Sequence, residues 1–238
     1  MGSAGPRPIV IIGGFLSRPS LYSEMARTLS DLSGQPVHIC KIGLTDWLKA
    51  FSAKGWFNIL LKVKSTVDRV LETYSNQKIT LVGHSSGGVI GRLYLSPALF
   101  LGHRFSGLEH VSHLITLGSP HYGSHSSPMR AYVQKTLPDA YFGEHVVYVS
   151  VIGTAVDLRE ISPLTTWISR VCYRYLGGKG RAVGDGLVPV ECGLLKDSTQ
   201  VVLDGVGHPF FFATSWYGKP ENVRRWWNRI FAGNNRMR

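Results

Sequence analysis

The sequence predicts an α/β protein in which a mainly parallel central sheet is covered by helices on both faces. Short apolar runs, typical of strands buried on both sides, alternate along the chain with segments whose apolar residues recur at helical spacing. Glycines end several of these runs. The composition indicates an ordered protein, since 44% of the 238 residues are hydrophobic and 17% are charged. No repeat or long linker divides the chain, so we expect one domain over residues 1–238.

The first predicted strand has the sequence Ile-Val-Ile-Ile and ends at two glycines. A helix follows it, and this order of strand, turn and helix returns several times. The predicted strands cover residues 9–12, 37–40, 78–82, 111–117, 146–152 and 201–203. The predicted helices cover residues 19–32, 59–74, 86–95 and 223–231.

Two stretches, residues 43–57 and 122–181, do not fit this alternation. Loops at the ends of parallel strands often carry binding groups, so we interpret both stretches as candidate cap or lid insertions. Their aromatic side chains favour a binding site for an acyl chain, whereas the alternative is that they pack on the sheet. These residues are Trp47, Phe51, Trp56, Phe57, Tyr132, Tyr141, Phe142 and Trp167.

The chain is strongly basic. Its 26 lysines and arginines against 15 aspartates and glutamates give a formal net charge of +11, which should attract anionic surfaces. The basic residues form no long run and match no nucleic-acid-binding motif, so we expect no nucleic acid partner. The basic excess over residues 219–238 favours peripheral contact with an anionic membrane surface; the alternative is a solvated basic helix face.

The apolar stretches are too short for a membrane-spanning helix, which needs roughly 20 residues. The N-terminus also lacks the features of a signal peptide, so we expect a cytoplasmic protein or one peripheral at a membrane.

The three cysteines, Cys40, Cys172 and Cys192, show no metal-binding spacing. Free thiols are expected, and a bridge between Cys172 and Cys192 stays open as the alternative.

The motif Gly-His-Ser-Ser-Gly at residues 83–87 directly follows a predicted strand and directly precedes a predicted helix. In this context the motif predicts a tight turn that exposes the hydroxyl of Ser85 above the sheet. A side chain on either flanking glycine would collide with neighbouring backbone. The motif therefore indicates a nucleophilic serine.

A serine hydroxyl needs a base and an acid that orients this base. His208 is the candidate base because it lies in a loop between the last predicted strand and the closing helix. Asp185 and Asp157 compete as the acid, since both precede His208 and follow the strand at 146–152. We favour Asp185, which has a glycine on each side that allows a tight turn; the alternative for it is an ordinary Asp-Gly turn.

The oxyanion of an acyl-transfer reaction needs two donors. We expect these to be the backbone N–H groups of Ser86 and of Phe15 in the turn after the first strand. Candidate substrate-binding residues lie next to these donors or at the end of the strand at 111–117. They are Gly14, Leu16, His121 and Tyr122, with a structural role as the alternative for His121.

The chain resembles the serine α/β-hydrolases of the lipase and esterase branch. Besides the elbow at 83–87, the segment Thr-Leu-Gly-Ser-Pro-His-Tyr-Gly-Ser at 116–124 resembles one in bacterial triacylglycerol lipases and inositol-deacylase-like lipases. The segment at 184–189 resembles their acid turn, which implies that Asp185 rather than Asp157 is the acid. The chain differs from many relatives at Gly13, where they have histidine. The resemblance implies an α/β-hydrolase fold.

Together these features predict a carboxylic ester hydrolase that acts on lipid-like acyl esters through an acyl-enzyme. Ser85 is the expected nucleophile, His208 the base and Asp185 the residue that orients it. We expect no cofactor and no metal ion. An acyltransferase with the same triad is the first alternative, and a non-catalytic ligand receptor on the same scaffold is the second.

Overall fold

The computed structural model describes residues 7–74, 78–123, 127–157, 171, 173, 183–209 and 215–231. Six strands form one sheet in the order β2-β1-β3-β4-β5-β8, and each neighbouring pair is parallel. These strands are β1 (Ile9–Ile12), β2 (Val37–Ile39), β3 (Ile79–His84), β4 (Val111–Leu117), β5 (Val147–Thr154) and β8 (Thr199–Asp204). A separate antiparallel pair consists of β6 (Val156–Asp157) and β7 (Val183–Gly184).

Helices cover both faces of the sheet. They are α1 (Ser23–Ser33), α2 (Leu44–Lys49), α3 (Ala53–Thr73), α4 (Ser86–Leu95), α5 (Pro128–Thr136), α6 (Val190–Gly193) and α7 (Pro220–Phe231). Because side chains alternate along a strand, each face buries its own cluster. Val10 and Ile12 of β1 pack with residues of α3 and α4, whereas Ile9 and Ile11 pack with residues of α1 and α7. The predicted fold class is confirmed.

The helix predicted over residues 59–74 begins earlier, at Ala53. Ser52 caps its N-terminus, because the Ser52 hydroxyl accepts a hydrogen bond of 3.1 Å from the Gly55 N–H. At the helix predicted over 19–32, Pro19–Tyr22 is a 3-10 turn and the α-helix starts at Ser23. Proline suits such a first turn because it has no N–H to satisfy.

The predicted insertion at 43–57 consists of α2 and the start of α3. Trp47 and Trp56 are buried there with 1% and 5% exposure, whereas Phe51 is 76% exposed. The Trp56 indole N–H donates to the Ala50 carbonyl at 2.8 Å. Both tryptophans thus belong to the packed core as well as to this stretch. A lid role for it stays a prediction.

The insertion predicted at 122–181 falls only partly on described residues. Residues 127–157 include α5 and β5, which is one of the six sheet strands. Trp167 and most of 158–182 lie outside the described residues. A lid role for this stretch also stays a prediction.

Among the described residues, no helix is both long enough and apolar enough to cross a lipid bilayer.

The parallel sheet gathers chemistry-bearing residues at one edge. The carboxyl ends of parallel strands meet at the same edge, where α/β proteins place their ligands. The loop with Phe15 follows β1, Ser85 follows β3, and His208 follows β8. Asp185 follows β7, after the chain has left β5.

Candidate active site

Ser85 lies at a sharp turn between the end of β3 and the start of α4. Its backbone has φ 53° and ψ −125°, which a residue with a side chain rarely adopts. A Cβ atom on Gly83 would lie 2.5 Å from the Cα of Gly88, and one on Gly87 would lie 2.3 Å from the carbonyl oxygen of Ile12. Both flanking glycines are therefore steric requirements of this turn, which is the reason inferred from the sequence.

Asp185 and His208 are joined by two hydrogen bonds. His208 Nδ1 lies 2.7 Å from Asp185 Oδ2, and the His208 backbone N–H donates to the Asp185 carbonyl at 2.7 Å. Both side chains are buried, with 0% exposure for Asp185 and 4% for His208. Since Nδ1 faces the carboxylate, Nε2 is the ring nitrogen that remains for proton transfer.

The turn after β7 holds the other oxygen of the Asp185 carboxylate, Oδ1. Oδ1 accepts hydrogen bonds from the backbone N–H groups of Leu187 at 3.0 Å and Val188 at 2.8 Å. This Asx-type turn orients the carboxylate through backbone N–H groups of the turn itself, without a contribution from other side chains. An ordinary Asp-Gly turn was the alternative for Asp185. Such a turn is compatible with a carboxylate that orients His208.

Tyr217 is a further contact of this carboxylate that the sequence analysis missed. Its hydroxyl donates to Asp185 Oδ2 at 2.7 Å and accepts from the Gly153 N–H at 2.9 Å. Burial, together with Asp185, raises the pKa of Tyr217 well above its usual value, so this hydroxyl stays a donor. Nothing in the local sequence around Tyr217 marks it.

Ser85 and His208 line the same cavity. Among the described residues no hydrogen bond joins the Ser85 hydroxyl to the imidazole of His208. Such contacts are often long before substrate binds. The pairing of acid and base is thus present in the structure, and the contact between base and nucleophile stays a prediction.

The two backbone groups predicted to hold the oxyanion also face this cavity. Phe15 and Ser86 both line it, and neither N–H has a hydrogen-bond partner among the described residues. Ser86 is the first residue of α4, where helical N–H groups have no partner within the helix. A Cβ atom on Gly14 would lie 2.8 Å from the Cβ of Ser85, so the loop after β1 closely approaches the serine.

The cavity has a volume of about 720 Å³, within the roughly 300–1,000 Å³ typical of small-molecule sites. Its wall is mainly apolar and includes Trp47, Phe51 and Trp56. The ring of Phe15 contacts those of Trp47 and Phe51 edge-on, with centroid distances of 5.9 and 5.7 Å. Of the predicted substrate-binding residues, Gly14 and Leu16 line this cavity as well.

That His121 contacts substrate stays a prediction, which the surroundings of this residue do not support. Its side chain is fully buried and does not line the cavity. Nε2 lies 3.0 Å from the Thr116 hydroxyl and Nδ1 lies 3.4 Å from the Arg92 guanidinium. The alternative weighed from the sequence, a structural role, fits these contacts.

The same prediction for Tyr122 also stays untested and without support from its contacts. Its hydroxyl donates to Asp139 Oδ1 at 2.5 Å and accepts from the Lys196 backbone N–H at 2.9 Å. It therefore links two loops and does not line the cavity.

Three other expectations concern the acid, the metal and the cysteines. The side chain of Asp157 and the whole of Cys172 lie outside the described residues, so the bridge between Cys172 and Cys192 is untested. Cys40 and Cys192 are buried. In the described part of the chain, no three His, Cys, Asp or Glu side chains are placed so that they could hold a metal ion.

Comparison with solved structures shows the fold. An alpha/beta hydrolase from the metagenome of lagoon sediments at Mar Chica, Morocco, has a TM-score of 0.52 at 16% identity, with 98% of this chain and 93% of that chain covered. The lin2722 gene product of Listeria innocua has a TM-score of 0.52 at 13% identity, with 95% and 94% covered. A protein described as a cell-surface hydrolase of Lactobacillus plantarum has a TM-score of 0.53 at 13% identity, with 97% and 93% covered.

The resemblance to the serine α/β-hydrolases of the lipase and esterase branch is confirmed. No curated protein matches the chain. The model of the palmitoyl protein thioesterase family matches residues 8–159, more than half of the chain. This range contains β1, Ser85 and β4, and it ends before Asp185 and His208. The chain belongs to the palmitoyl protein thioesterase family.

Proposed function

We propose that this protein is a serine hydrolase of acyl thioesters or esters whose acyl group is apolar. The observation that carries the proposal is one mainly apolar cavity lined by Ser85, His208, Phe15 and Ser86. Among the described residues, the N–H groups of Phe15 and Ser86 have no hydrogen-bond partner. The sequence analysis considered only oxygen esters. The family adds thioesters as a substrate class, and both classes react at the same acyl carbonyl.

In the proposed reaction, the Ser85 hydroxyl attacks the acyl carbonyl carbon while His208 Nε2 takes the hydroxyl proton. The N–H groups of Phe15 and Ser86 bind the oxyanion of the tetrahedral intermediate. The intermediate collapses to an acyl-enzyme, and the leaving thiol or alcohol receives the proton from His208. Water then attacks the acyl-enzyme in the same way and releases the carboxylic acid and Ser85.

Asp185 supports both halves of this reaction. Its Oδ2 fixes the proton on Nδ1 of His208 through the 2.7 Å contact, so that Nε2 is free to accept the serine proton. The carboxylate also stabilises the imidazolium that forms in each half-reaction. Asp185 is fully buried, where such an interaction is screened less than in water.

The apolar wall supports an acyl chain as the ligand. Four exposed or partly exposed apolar residues, Phe15, Leu16, Phe51 and Val171, line the cavity and also reach the surface. A long acyl chain would bury this surface, which favours binding by about 0.8 kcal/mol per methylene. The charged guanidinium of Arg130 lies in the same wall and would be placed near a polar part of the substrate.

The proposal is tested with two panels, p-nitrophenyl esters and acyl thioesters, each from short to long acyl chains. Wild type should turn over members of at least one panel with kcat/KM rising with chain length, and Ser85→Ala should lose this activity by about 10⁴-fold or more. Ser198→Ala is the matched control, since this serine lies outside the cavity. Turnover by Ser85→Ala at the wild-type rate would refute the proposal.

The same assay addresses the alternative of acyl transfer. Products are analysed with an alcohol added at increasing concentration. A hydrolase releases the free carboxylic acid under all these conditions, because water is the acceptor. Transfer of most acyl groups to the alcohol would instead favour the acyltransferase.

A peripheral contact with an anionic membrane surface forms the second part of the proposal. The side chains that support it are Phe51, which lines the cavity, and residues close to it in sequence. Leu48 and Phe51 are exposed there, and the exposed lysines Lys49 and Lys54 are their neighbours in sequence. Apolar side chains next to basic ones suit an anionic bilayer, where a long-chain acyl substrate would reside.

A further inference from the structure

Tyr22 lies under the loop that carries the predicted oxyanion donor Phe15. The Gly14 backbone N–H donates to the Tyr22 hydroxyl oxygen at 2.7 Å. The Ser17 hydroxyl donates to the Gly14 carbonyl at 2.6 Å and lies 3.1 Å from the Tyr22 hydroxyl. The peptide groups on each side of Gly14 are therefore fixed by side chains, directly before Phe15.

The same tyrosine hydroxyl contacts the nucleophile elbow. It lies 2.8 Å from Nδ1 of His84, the residue directly before Ser85. Tyr22 and His84 are both buried, with 1% and 2% exposure. Their rings also pack on Trp216, with centroid distances of 5.9 and 5.7 Å. One hydroxyl thus joins the two chain segments that carry the two predicted oxyanion donors.

This link does not depend on which nitrogen of His84 holds the proton. If Nδ1 is bare, the Tyr22 hydroxyl donates to it; if Nδ1 carries the proton, it donates to the Tyr22 oxygen and Tyr22 donates to Ser17. Burial raises the pKa of Tyr22 to about 12. Burial and the neighbouring His208 lower the pKa of His84 well below its usual value. Both groups are therefore neutral near pH 7.

We propose that Tyr22 and His84 are positioning residues that fix the Phe15 and Ser86 N–H groups at the spacing that an oxyanion requires. The inference rests on the proposed function and explains how the loop is held where the chain has Gly13. Neither side chain forms bonds with the reacting atoms in this role. Their effect should therefore appear in the transition state, where the oxyanion exists, and not in substrate binding.

Tyr22→Phe tests the role of the hydroxyl because it keeps the ring that packs on Trp216. We expect kcat to fall about 10-fold to 100-fold, less than the 10²-fold to 10³-fold typical for loss of an oxyanion donor, with KM nearly unchanged. Tyr94→Phe is the matched control. Tyr94 is also fully buried, and its hydroxyl has no hydrogen-bond partner among the described residues.

Inhibitor binding separates positioning from a general structural role. A trifluoromethyl ketone with an apolar chain forms a tetrahedral adduct with the serine and places an oxyanion where the reaction does. Its Ki should rise in Tyr22→Phe by the same factor by which kcat/KM falls. A structural defect that lowers the fraction of folded enzyme would lower kcat and leave this Ki unchanged.

A double-mutant cycle tests whether both residues act through one contact. His84→Leu should lower kcat as Tyr22→Phe does, and His84→Asn should restore part of the loss because its amide offers a polar atom near the position of Nδ1. The double variant Tyr22→Phe/His84→Leu should be about as active as the slower single variant. Effects that multiply would overturn the inference.

The outcomes for this inference and for the proposed function are distinct. If Ser85→Ala abolishes turnover while Tyr22→Phe has the kcat and Ki of Tyr94→Phe, the inference fails and the proposed function stands. If Ser85→Ala retains turnover, both fail. Thermal unfolding of each variant shows that the compared proteins are folded.

Discussion

At the scale of single residues, the Asp185 carboxylate has all its strong acceptor positions occupied. Two backbone N–H groups contact Oδ1, and His208 and the Tyr217 hydroxyl contact Oδ2. A buried carboxylate with this many donors keeps one orientation, because any rotation would leave a donor unpaired. The imidazole of His208 consequently has one tautomer and one plane in which it can face the cavity.

Asp185→Asn should lower kcat by about 10⁴-fold with a small change in KM. The amide NH₂ cannot accept the Nδ1 proton of His208, so the imidazole presents the wrong tautomer to Ser85. The control is Asp204→Asn, because Asp204 is exposed and, within the described part of the chain, its side chain forms a hydrogen bond only with the Thr154 hydroxyl. The measurement is kcat on the best substrate of the two panels. Activity of Asp185→Asn within ten-fold of the control would show that another acid orients His208.

The sequence marks some of these residues and not others. Asp185 has a glycine on each side and Ser85 has one two positions away on each side, because the backbone turns sharply where the side chain is presented. Tyr22, His84 and Tyr217 belong to no motif that indicates a role at the site, although Gly83 precedes His84 and Gly218 follows Tyr217. Their roles depend on hydroxyl and imidazole contacts between residues as far apart as 62 positions, which no local pattern reports.

At the scale of elements, hydrophobic pattern predicts the strands better than the ends of the helices. All six predicted strands exist. The reason is clearest for β1 and β3, which are buried along their whole length and therefore are compact apolar runs. The start of α3 was missed since Lys54 and Gly55 interrupt the apolar spacing. Helix α3 starts where it does because Ser52 caps it and because Trp56 packs in the core. Only the packing of Trp56 requires tertiary structure.

The end of β4 contains a histidine that should make stability depend on pH. Thr116 donates to the Val149 carbonyl, so it must accept from Nε2 of His121, while Arg92 donates to Nδ1. Neutral imidazole satisfies all these contacts, and a second proton would face the Arg92 guanidinium. Burial, and then Arg92, therefore lower the pKa of His121 well below its usual value.

The sign of the pH dependence follows from this shift. Below its usual pKa of about 6.5, His121 takes up a proton in the unfolded chain but not in the folded protein, so acid favours unfolding. Each such imidazole should cost up to about 1.4 kcal/mol per pH unit, and His84 adds a second one. In urea unfolding between about pH 7 and about pH 5, His121→Gln should make this slope smaller. Part of the slope should remain, because burial also lowers the pKa values of His38, His84 and His113.

His145→Gln provides the control for this experiment. It removes an exposed imidazole and should keep the wild-type slope. Equal slopes for wild type and His121→Gln would mean that His121 is protonated in the folded protein despite its burial.

At the scale of the whole molecule, the net charge of +11 favours contact with an anionic surface, and two parts of the chain are candidates for this contact. The surface predicted from the sequence covers residues 219–238, and its described part lies mainly on α7. There Arg225 and Arg229 donate to the carbonyls of Asp204 and Val202. These two side chains thus also fasten α7 to β8. The second surface is the set of Leu48, Lys49, Phe51 and Lys54 beside the cavity opening, which the sequence analysis interpreted only as part of an insertion.

The protein should bind vesicles that contain phosphatidylserine more tightly than vesicles of phosphatidylcholine alone, and added salt should weaken this binding because it screens charge. If the surface beside the cavity makes the contact, Lys49→Gln and Lys54→Gln should each weaken binding about five-fold, and Leu48→Ser should weaken it further at high salt. None of these three residues lines the cavity, so turnover of a short soluble ester should stay at the wild-type level.

Arg224→Gln, an exposed change on α7, distinguishes the two surfaces in a sedimentation assay. If it weakens binding and the lysine variants do not, the contact lies on α7; binding that salt does not weaken would exclude an electrostatic contact at either surface.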